Sequence, residues 1–334
     1  AVGAIWGGTF ALARTGGEAN AIAVRIARAA TGKDQIAFCG YHGWHDWYLA
    51  ANLGDGQTLA GHLLPGLEPR GVPAGLRGTM HAFRYNRLDE LEEIVRQHDI
   101  GIIKMEVCRN LGPEPGFLEA VRRLATERGI VLIFDECTSG FRQAFGGIHK
   151  CYGVEPDLAV FGKTLGNGYA ITAVIGRRQI MEAAQSTFIS SSFWTERIGP
   201  TAALKTLEVM ERTRSWEKIT AIGRDVGARW RKLAKKHDLP LKVSDGVPAL
   251  SSFRFESPNH LAYKTLITQE MLAKGYLAAV GFYACTEDTS EIIDGYVAAL
   301  DPVFALIKEC ESGGRDVNSL LKGPVCHDGF KRLN

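Results

Sequence analysis

The sequence of 334 residues lacks several features that mark particular classes of protein. No stretch approaches the roughly 18 to 20 consecutive apolar residues of a membrane span, and residues 1–12 lack the basic leader of a secretion signal. Neither sign of charge forms a long block, and 39 basic residues nearly balance 37 acidic ones. These absences argue against a membrane or nucleic-acid partner. We therefore expect a cytoplasmic protein that acts on small molecules.

Cysteine is scattered along the chain. The seven cysteines are odd in number, and no two of them form a CxxC pair. That pattern is typical of reduced thiols and not of a disulfide or zinc framework. His42 and His45 have a spacing that can suit a metal, but no cluster of carboxylates or cysteines completes a ligand set. We predict no metal site.

Short apolar runs alternate with helical patterns in the first two thirds of the chain. The β-branched runs Ile100–Glu106 and 130–135 flank a helical pattern at 118–128. This order predicts a βαβ unit in a parallel sheet that is buried on both faces, and hence an α/β fold. Further strands are predicted at Gln35–Cys39, Leu158–Phe161 and 171–175.

The rest of the chain is predicted to form a smaller domain. Residues 200–236 have a charged helical pattern, typical of a connection that leaves the sheet. Strands are expected at 250–255 and 277–283, on either side of a helix at 260–274, and a last helix at 291–310. We therefore predict a large domain over residues 1–210 and a small one over 211–334.

Two titratable residues follow buried runs. Asp135 ends the run 130–135, at the edge where open α/β sheets build their sites, and Lys163 follows Leu158–Phe161 between glycines. Taken singly, Asp135 could be a helix-capping or loop aspartate at a strand end, and Lys163 could be an ordinary surface lysine. Together they match pyridoxal phosphate (PLP), which needs a lysine amine for its imine and an aspartate against the protonated pyridine nitrogen.

Two more segments suit the same cofactor. Thr15-Gly16-Gly17 precedes a helical pattern at 18–30, and free N–H groups at a helix N-terminus bind phosphate. Tyr41-His42-Gly43 follows a predicted strand, where an aromatic side chain could lie over a flat ring. The alternative for Thr15-Gly16-Gly17 is an ordinary helix N-terminus, and the alternative for Tyr41 is a loop aromatic that packs over the core.

These motifs occur in the order and spacing of a known family. The runs Thr-Gly-Gly-Glu, Gly-Tyr-His-Gly, Phe-Asp-Glu-Cys-Thr-Ser-Gly-Phe-Arg and Phe-Gly-Lys-Thr-Leu-Gly-Asn-Gly resemble class III PLP-dependent aminotransferases, and within these the glutamate-1-semialdehyde aminomutase branch. The similarity runs from about residue 13 to about residue 305. It implies fold type I of the PLP-dependent transferases, with a seven-stranded, mostly parallel sheet, a smaller α+β C-terminal domain, and a homodimer with sites at the interface.

The resemblance also implies roles for single residues. Lys163 would carry PLP as a Schiff base and act as general base, Asp135 would pair with the pyridine nitrogen, and Tyr41 would stack on the ring. The phosphate loop would consist of Thr15, Gly16 and Gly17, and His42 would also bind the cofactor. Asn110 would lie near the phenolic oxygen of the cofactor. Ser192, or Thr195 as the second choice, would reach the phosphate in the neighbouring subunit.

The chain departs from the family pattern at several points. Gly17 stands where relatives usually carry threonine, and Val107 stands where they usually carry proline. The chain also begins close to the phosphate loop, so we expect the family's N-terminal segment, which helps to close the substrate pocket, to be missing. Further polar candidates near the site are Glu106, Arg109 and Arg142, with ordinary salt bridges as the alternative for the arginines.

The expected activity is transfer of an amino group from a donor to an aldehyde or ketone acceptor. An aminomutase or racemase would use the same cofactor and residues but would need no second substrate. A nucleotide-binding dehydrogenase would share the parallel sheet, but no GxGxxG motif follows a first strand. A non-catalytic scaffold derived from an aminotransferase is the remaining alternative.

Overall fold

The computed structural model describes residues 9–54, 58–59, 66–244 and 246–327. The chain separates into two compact units. The first unit reaches Cys108 and continues over Pro113–Arg214, whereas the second comprises Arg109–Gly112 and the chain from Ser215 onwards. Among the described residues, none of the helices is long and apolar enough to cross a membrane.

Seven strands of the described chain form one sheet in the first unit. They are β1 (Thr9–Ala13), β2 (Gln35–Cys39), β3 (Met80–Ala82), β4 (Ile100–Glu106), β5 (Val131–Glu136), β6 (Leu158–Phe161) and β7 (Thr172–Gly176). Their order across the sheet is β1-β7-β6-β5-β4-β2-β3. Strands β2 to β6 pair in parallel, and β7 is antiparallel to both of its neighbours. The mostly parallel sheet confirms the predicted fold class.

Helices cover this sheet. The helices of the first unit are α1 (Gly16–Thr31), α2 (Asp46–Leu49), α3 (Leu88–Gln97), α4 (Phe117–Glu127), α5 (Arg178–Met181) and α6 (Ile198–Thr213). Helix α1 starts at the N-cap Thr15, whose hydroxyl accepts the N–H of Glu18, and ends at Gly32, which has a φ of +68°. Its apolar face packs on the sheet, and strands β4 to β7 are buried along their whole length.

The parallel strands bring their carboxyl ends to one edge of the sheet. Strands β2, β4, β5 and β6 are consecutive neighbours, and in register Glu106 lies opposite Asp135. The segments that leave these strands therefore meet in space although they are distant in sequence. This edge is the place where α/β sheets bind ligands.

The second unit contains helices and a small sheet. Its elements are α7 (Ser215–Lys236), β8 (Leu241–Val243), β9 (Phe253–Phe255), α8 (His260–Ala273) and α9 (Ser290–Glu311). The antiparallel pair β8 and β9 packs on the helices through Trp230, Phe253 and Phe304, whose rings are in contact.

Two predictions for this half of the chain were inaccurate. The predicted strand at 277–283 is wrong: it forms only an isolated bridge between Ser252 and Gly281. Leu277 is 96% exposed and Tyr283 is 66% exposed, so the segment lacks the alternating buried face of a regular strand. The helical pattern at 200–236 is divided between α6 and α7, because Arg214 takes a left-handed conformation with a φ of +49°.

Candidate cofactor site

A cavity of about 430 Å³ opens at the carboxyl edge of the sheet in the first unit. That size is within the usual range for small-molecule sites. Its lining includes residues from the start of α1, from the loop after β2, and from the ends of β5 and β6. Those that the argument uses are Gly16, Gly17, Tyr41, His42, Asp135 and Lys163.

Asp135 forms the buried floor of the cavity. Its Oδ2 accepts hydrogen bonds from Asn20 Nδ2 and His42 Nδ1, both at 2.8 Å, and its Oδ1 accepts one from the N–H of Cys137 at 3.1 Å. Burial alone would raise the pKa of Asp135, but the Lys104 ammonium and the His42 hydrogen bond outweigh it and hold that pKa below its usual range. The carboxylate is therefore ionised, and it can accept one more donor.

His42 supports this carboxylate from the protein interior. The ring is buried, with Nδ1 toward Asp135 and Nε2 3.1 Å from the carbonyl oxygen of Cys39. Burial and the nearby Lys104 charge lower the pKa of His42, and Asp135 offsets this only in part. Both ring nitrogens thus lie within hydrogen-bond distance of an acceptor. A neutral ring can donate to only one of them, of which Asp135 is the stronger acceptor, whereas a protonated ring donates to both.

Lys163 lies at the rim of the cavity, in a single 3-10 turn directly after β6. The side chain is exposed, and its Nζ donates a hydrogen bond of 2.7 Å to the hydroxyl of Thr138. Its φ of +39° and the φ of +44° at Asn167 are both in the left-handed region, which is unfavourable for residues other than glycine. Backbone strain of this kind is found mainly at functional sites.

The N-terminus of α1 faces the same cavity. Within the described residues, the N–H groups of Gly16 and Gly17 have no hydrogen-bond partner, so both are available to an anion. A Cβ on Gly17 would lie 2.9 Å from Cδ2 of His45, and a Cβ on Gly43 would lie 3.0 Å from Cα of Gly17. Glycine at both positions allows the two loops to approach this closely.

Tyr41 forms one wall of the cavity. The ring is half-buried and contacts Tyr48 edge to face, with 5.9 Å between the ring centroids. The Tyr41 N–H donates to Oε2 of Glu106 at 3.2 Å, so the buried Glu106 fixes the loop that carries the ring. Arg142 lies further out and donates from Nε to the carbonyl oxygen of Thr138.

Other predicted residues are not among the described residues that line this cavity. Asn110 and Arg109 belong to the second unit, where Asn110 lines a separate cavity of about 560 Å³ with Lys242 and Arg254. Ser192 and Thr195 are exposed, and they are not among the described residues that line the 430 Å³ cavity. Their predicted contact with a neighbouring subunit stays a prediction.

Sequence reasoning missed four residues of the site. Asn20 is buried and lines the cavity beside Asp135, and Lys104 is buried behind it. Thr138 binds Lys163, and Arg14 lines the cavity with its buried Nε unpaired within the described residues. A lysine inside the apolar run of β4 was the one available indication for Lys104. Asn20 has no such indication, because a polar residue in a helix is usually exposed.

Comparison with known proteins assigns the family. The model of the class-III aminotransferase family matches residues 4–285, and the chain belongs to this family. The chain is 38% identical over 268 residues to a 3-aminobutyryl-CoA aminotransferase of Cloacimonas acidaminovorans, a match that covers 78% of this chain and 60% of that protein. It is 40% identical over 207 residues to a glutamate-1-semialdehyde 2,1-aminomutase of Methanothrix thermoacetophila, covering 59% of this chain and 47% of the relative. The chain thus spans less than two thirds of either relative.

Solved structures share the fold. The FumI protein of Sphingopyxis sp. MTA144, in its PLP internal aldimine form, superposes with a TM-score of 0.79 and 23% identity, over 93% of this chain and 74% of that one. An omega-transaminase of Sphaerobacter thermophilus superposes with a TM-score of 0.76 and 21% identity, over 89% and 74% of the two chains. The fold is therefore that of the transaminases.

Proposed function

We propose that this protein is a PLP-dependent aminotransferase that moves an amino group from an amino donor to an aldehyde or ketone acceptor. The observation that carries the proposal is a single cavity that holds the ionised Asp135, the amine of Lys163 and the free N–H groups of Gly16 and Gly17. Family membership and relatives named as aminotransferases support it.

The donor set of the cavity fits PLP. The remaining acceptor position on Asp135 suits a protonated pyridine nitrogen, and the start of α1 suits a phosphate. Arg14 adds a cation beside the phosphate loop. The half-buried ring of Tyr41 offers an aromatic face, and Lys163 offers an amine.

When bound, PLP supplies an aldehyde that condenses with amines and a ring that withdraws electrons from the substrate carbon. Asp135 would keep the proton on the pyridine nitrogen by its negative charge. Gly16 and Gly17 would hold the phosphate through their N–H groups, with Thr15 capping the same turn. Lys163 would hold the cofactor covalently, and its free Nζ would move a proton at the substrate carbon. The Thr138 hydroxyl orients that amine.

The finer assignments belong to the same proposal. We assign Asn110 to the cofactor's phenolic oxygen, and Ser192 or Thr195 to the phosphate of a neighbouring subunit, which requires a homodimer. Exposed apolar side chains near Ser192 support such an interface, since Phe188 is 85% and Ile198 is 66% exposed. We also propose a cytoplasmic location, in keeping with the free thiols among the described residues. Light scattering of the purified protein tests the dimer.

An aminomutase is the second candidate, because several relatives carry that name. One of them, from Methanocaldococcus jannaschii, is 30% identical over 315 residues, which cover 87% of this chain and 72% of that protein. The two reactions differ in their need for an acceptor. A mutase rearranges one substrate and turns over alone, whereas an aminotransferase stops after one half-reaction until a carbonyl acceptor is supplied.

The test is a single-turnover experiment with PLP-loaded protein and a panel of amino donors. We expect one carbonyl product per site without acceptor, and continued turnover only after an aldehyde or ketone is added. Sustained isomerisation without acceptor would identify a mutase. If no donor gives a product although PLP is bound, the result favours the scaffold alternative over the aminotransferase.

A further inference from the structure

A fully buried lysine lies behind the floor of the cavity. Lys104 belongs to β4, and its side chain has no exposed surface. Because side chains alternate along a strand, Lys104 projects from the same sheet face as Glu106, which lies opposite Asp135 in register. Lys104 is not among the described residues that line the cavity, so it acts on the site from behind.

One carboxamide connects this lysine to Asp135. Nζ of Lys104 donates to Oδ1 of Asn20 at 2.7 Å, and Nδ2 of the same amide donates to Oδ2 of Asp135 at 2.8 Å. Nδ2 also lies 3.3 Å from the carbonyl oxygen of His42. Since both ends of the amide are used, its orientation is fixed. Asn20 therefore couples the Lys104 ammonium group to the Asp135 carboxylate through a chain of two polarised hydrogen bonds.

The groups around Lys104 explain why an ammonium is tolerated there. Lys104 interacts electrostatically with Asp135 of β5, with Cys137 just after that strand, and with Glu106 of its own strand. The Trp47 ring centroid is 6.0 Å from Nζ, within the range of a cation–π contact. Burial lowers the pKa of Lys104 to about 8, and Asp135 is the largest opposing influence. A buried charge without a partner would be prohibitive.

We propose that Lys104 is a positioning residue for Asp135: through Asn20, its ammonium group supplies positive charge that keeps Asp135 ionised and aimed at the cavity. As far as the cofactor is concerned, the inference rests on the proposed function. The charge arrangement itself belongs to the protein without cofactor.

The direct test is NMR of the apo-protein with labelled histidine and lysine. At neutral pH we expect a slowly exchanging ammonium signal from Lys104. The carbon and nitrogen shifts of the His42 ring, assigned with His42→Gln, provide the reference for the variants. A neutral amine on Lys104 would overturn the proposal. This measurement needs no substitution of Lys104.

Two variants test the coupling. Lys104→Met removes the charge, and Lys104→Gln removes the charge but keeps a hydrogen-bonding group for Asn20. Both should raise the pKa of His42, because the Lys104 charge lowers it in the wild-type protein. Lys33→Met, which removes a half-exposed lysine of the same unit, should leave His42 unchanged. An unchanged His42 in folded Lys104→Met would contradict the inference.

Cofactor titration separates this inference from the proposed function. Adding PLP to the apo-protein should give weaker binding for Lys104→Met than for Lys33→Met. If wild-type protein binds no PLP, the proposed function fails while the apo NMR result still decides the role of Lys104. If PLP binds equally well to both variants and His42 does not respond, Lys104 has no role in positioning Asp135.

Discussion

The floor and the rim of the cavity are built in different ways. The floor consists of Asp135, which is 4% exposed and is held by donors from α1, from the loop after β2 and from its own backbone. The rim carries Lys163 on a strained turn, with Trp44 and Tyr169 exposed at 70% and 60%. The floor is thus preorganised by the sheet and its helix, whereas the rim is formed by loops that can move when a ligand binds.

This contrast matches the chemistry asked of the two residues. In the proposed function, Asp135 holds one charge in one place, and a rigid, buried environment makes a fixed charge effective. In the same proposal, Lys163 holds the cofactor, releases it and moves a proton, which requires a side chain that can change its position. Changes at the rim should therefore abolish chemistry and spare folding, and changes at the floor should affect both.

The largest effect is expected at the rim. Lys163→Ala should reduce turnover by at least about 10³-fold, because it removes both the covalent anchor and the general base. The melting temperature should change little, since the side chain is exposed. Steady-state kinetics and thermal unfolding provide the check, with the exposed Lys205→Ala as control. Full activity in Lys163→Ala would remove this lysine from the mechanism.

The next effect is expected at the floor. Asp135→Asn should lower kcat by about 10²-fold, comparable to loss of one preorganised electrostatic partner, and should weaken cofactor binding. Asp157 is a matched control, because it is also buried but lies just before β6, where its Oδ2 accepts the N–H of Leu132. Asp157→Asn should destabilise the fold and leave cofactor affinity unchanged. Equal loss of cofactor in both variants would show that only folding is being measured.

The buried charge at the floor should also appear in the pH dependence of stability. The pKa of Lys104 falls from 10.5 to about 8 on folding, so the unfolded chain binds the proton more tightly. This group alone makes the free energy of unfolding rise with pH between these values, by on the order of 3 kcal/mol, whereas below pH 8 its contribution is destabilising and does not change with pH.

Other buried groups act in the opposite sense, since burial raises the pKa of Cys39 to about 12. The quantity to measure is therefore the difference between wild type and Lys104→Met in denaturant unfolding from pH 7 to pH 10. A difference that stays constant over this range would show that Lys104 has an ordinary pKa.

The smallest effect is expected at the phosphate loop. Thr15→Ala removes the N-cap of α1 and should cost about 1 kcal/mol of stability, and it should also weaken cofactor binding. Thr289 caps α9 in the same way, with its hydroxyl accepting the N–H of Ile292. Thr289→Ala should therefore cost a similar stability without affecting the cofactor. If neither variant weakens PLP binding, the Thr15 cap does not contribute to the phosphate site.

The sequence predicts those elements of the fold that are determined by a local pattern of apolar residues. The apolar run of β4 and the strand that ends near Asp135 are set by consecutive buried residues, and the position of Lys163 follows from the end of β6. Strands β1, β3 and β8 were not predicted; β3 and β8 have only three residues each, too few to show a periodic pattern. The roles of Asn20 and Lys104 were not predicted for another reason. Their contact joins residues 84 positions apart in the sequence, and only the packing of α1 on the sheet creates it.

One measurement tests the central claim most directly. Purified protein is titrated with PLP, its visible absorption is recorded, and it is reduced with borohydride before peptide mapping by mass spectrometry. We predict an absorption band at the violet end of the visible range and a reduced adduct on the peptide that carries Lys163. A protein that stays colourless with excess PLP, or an adduct on another lysine, would contradict the assignment of this cavity as the cofactor site.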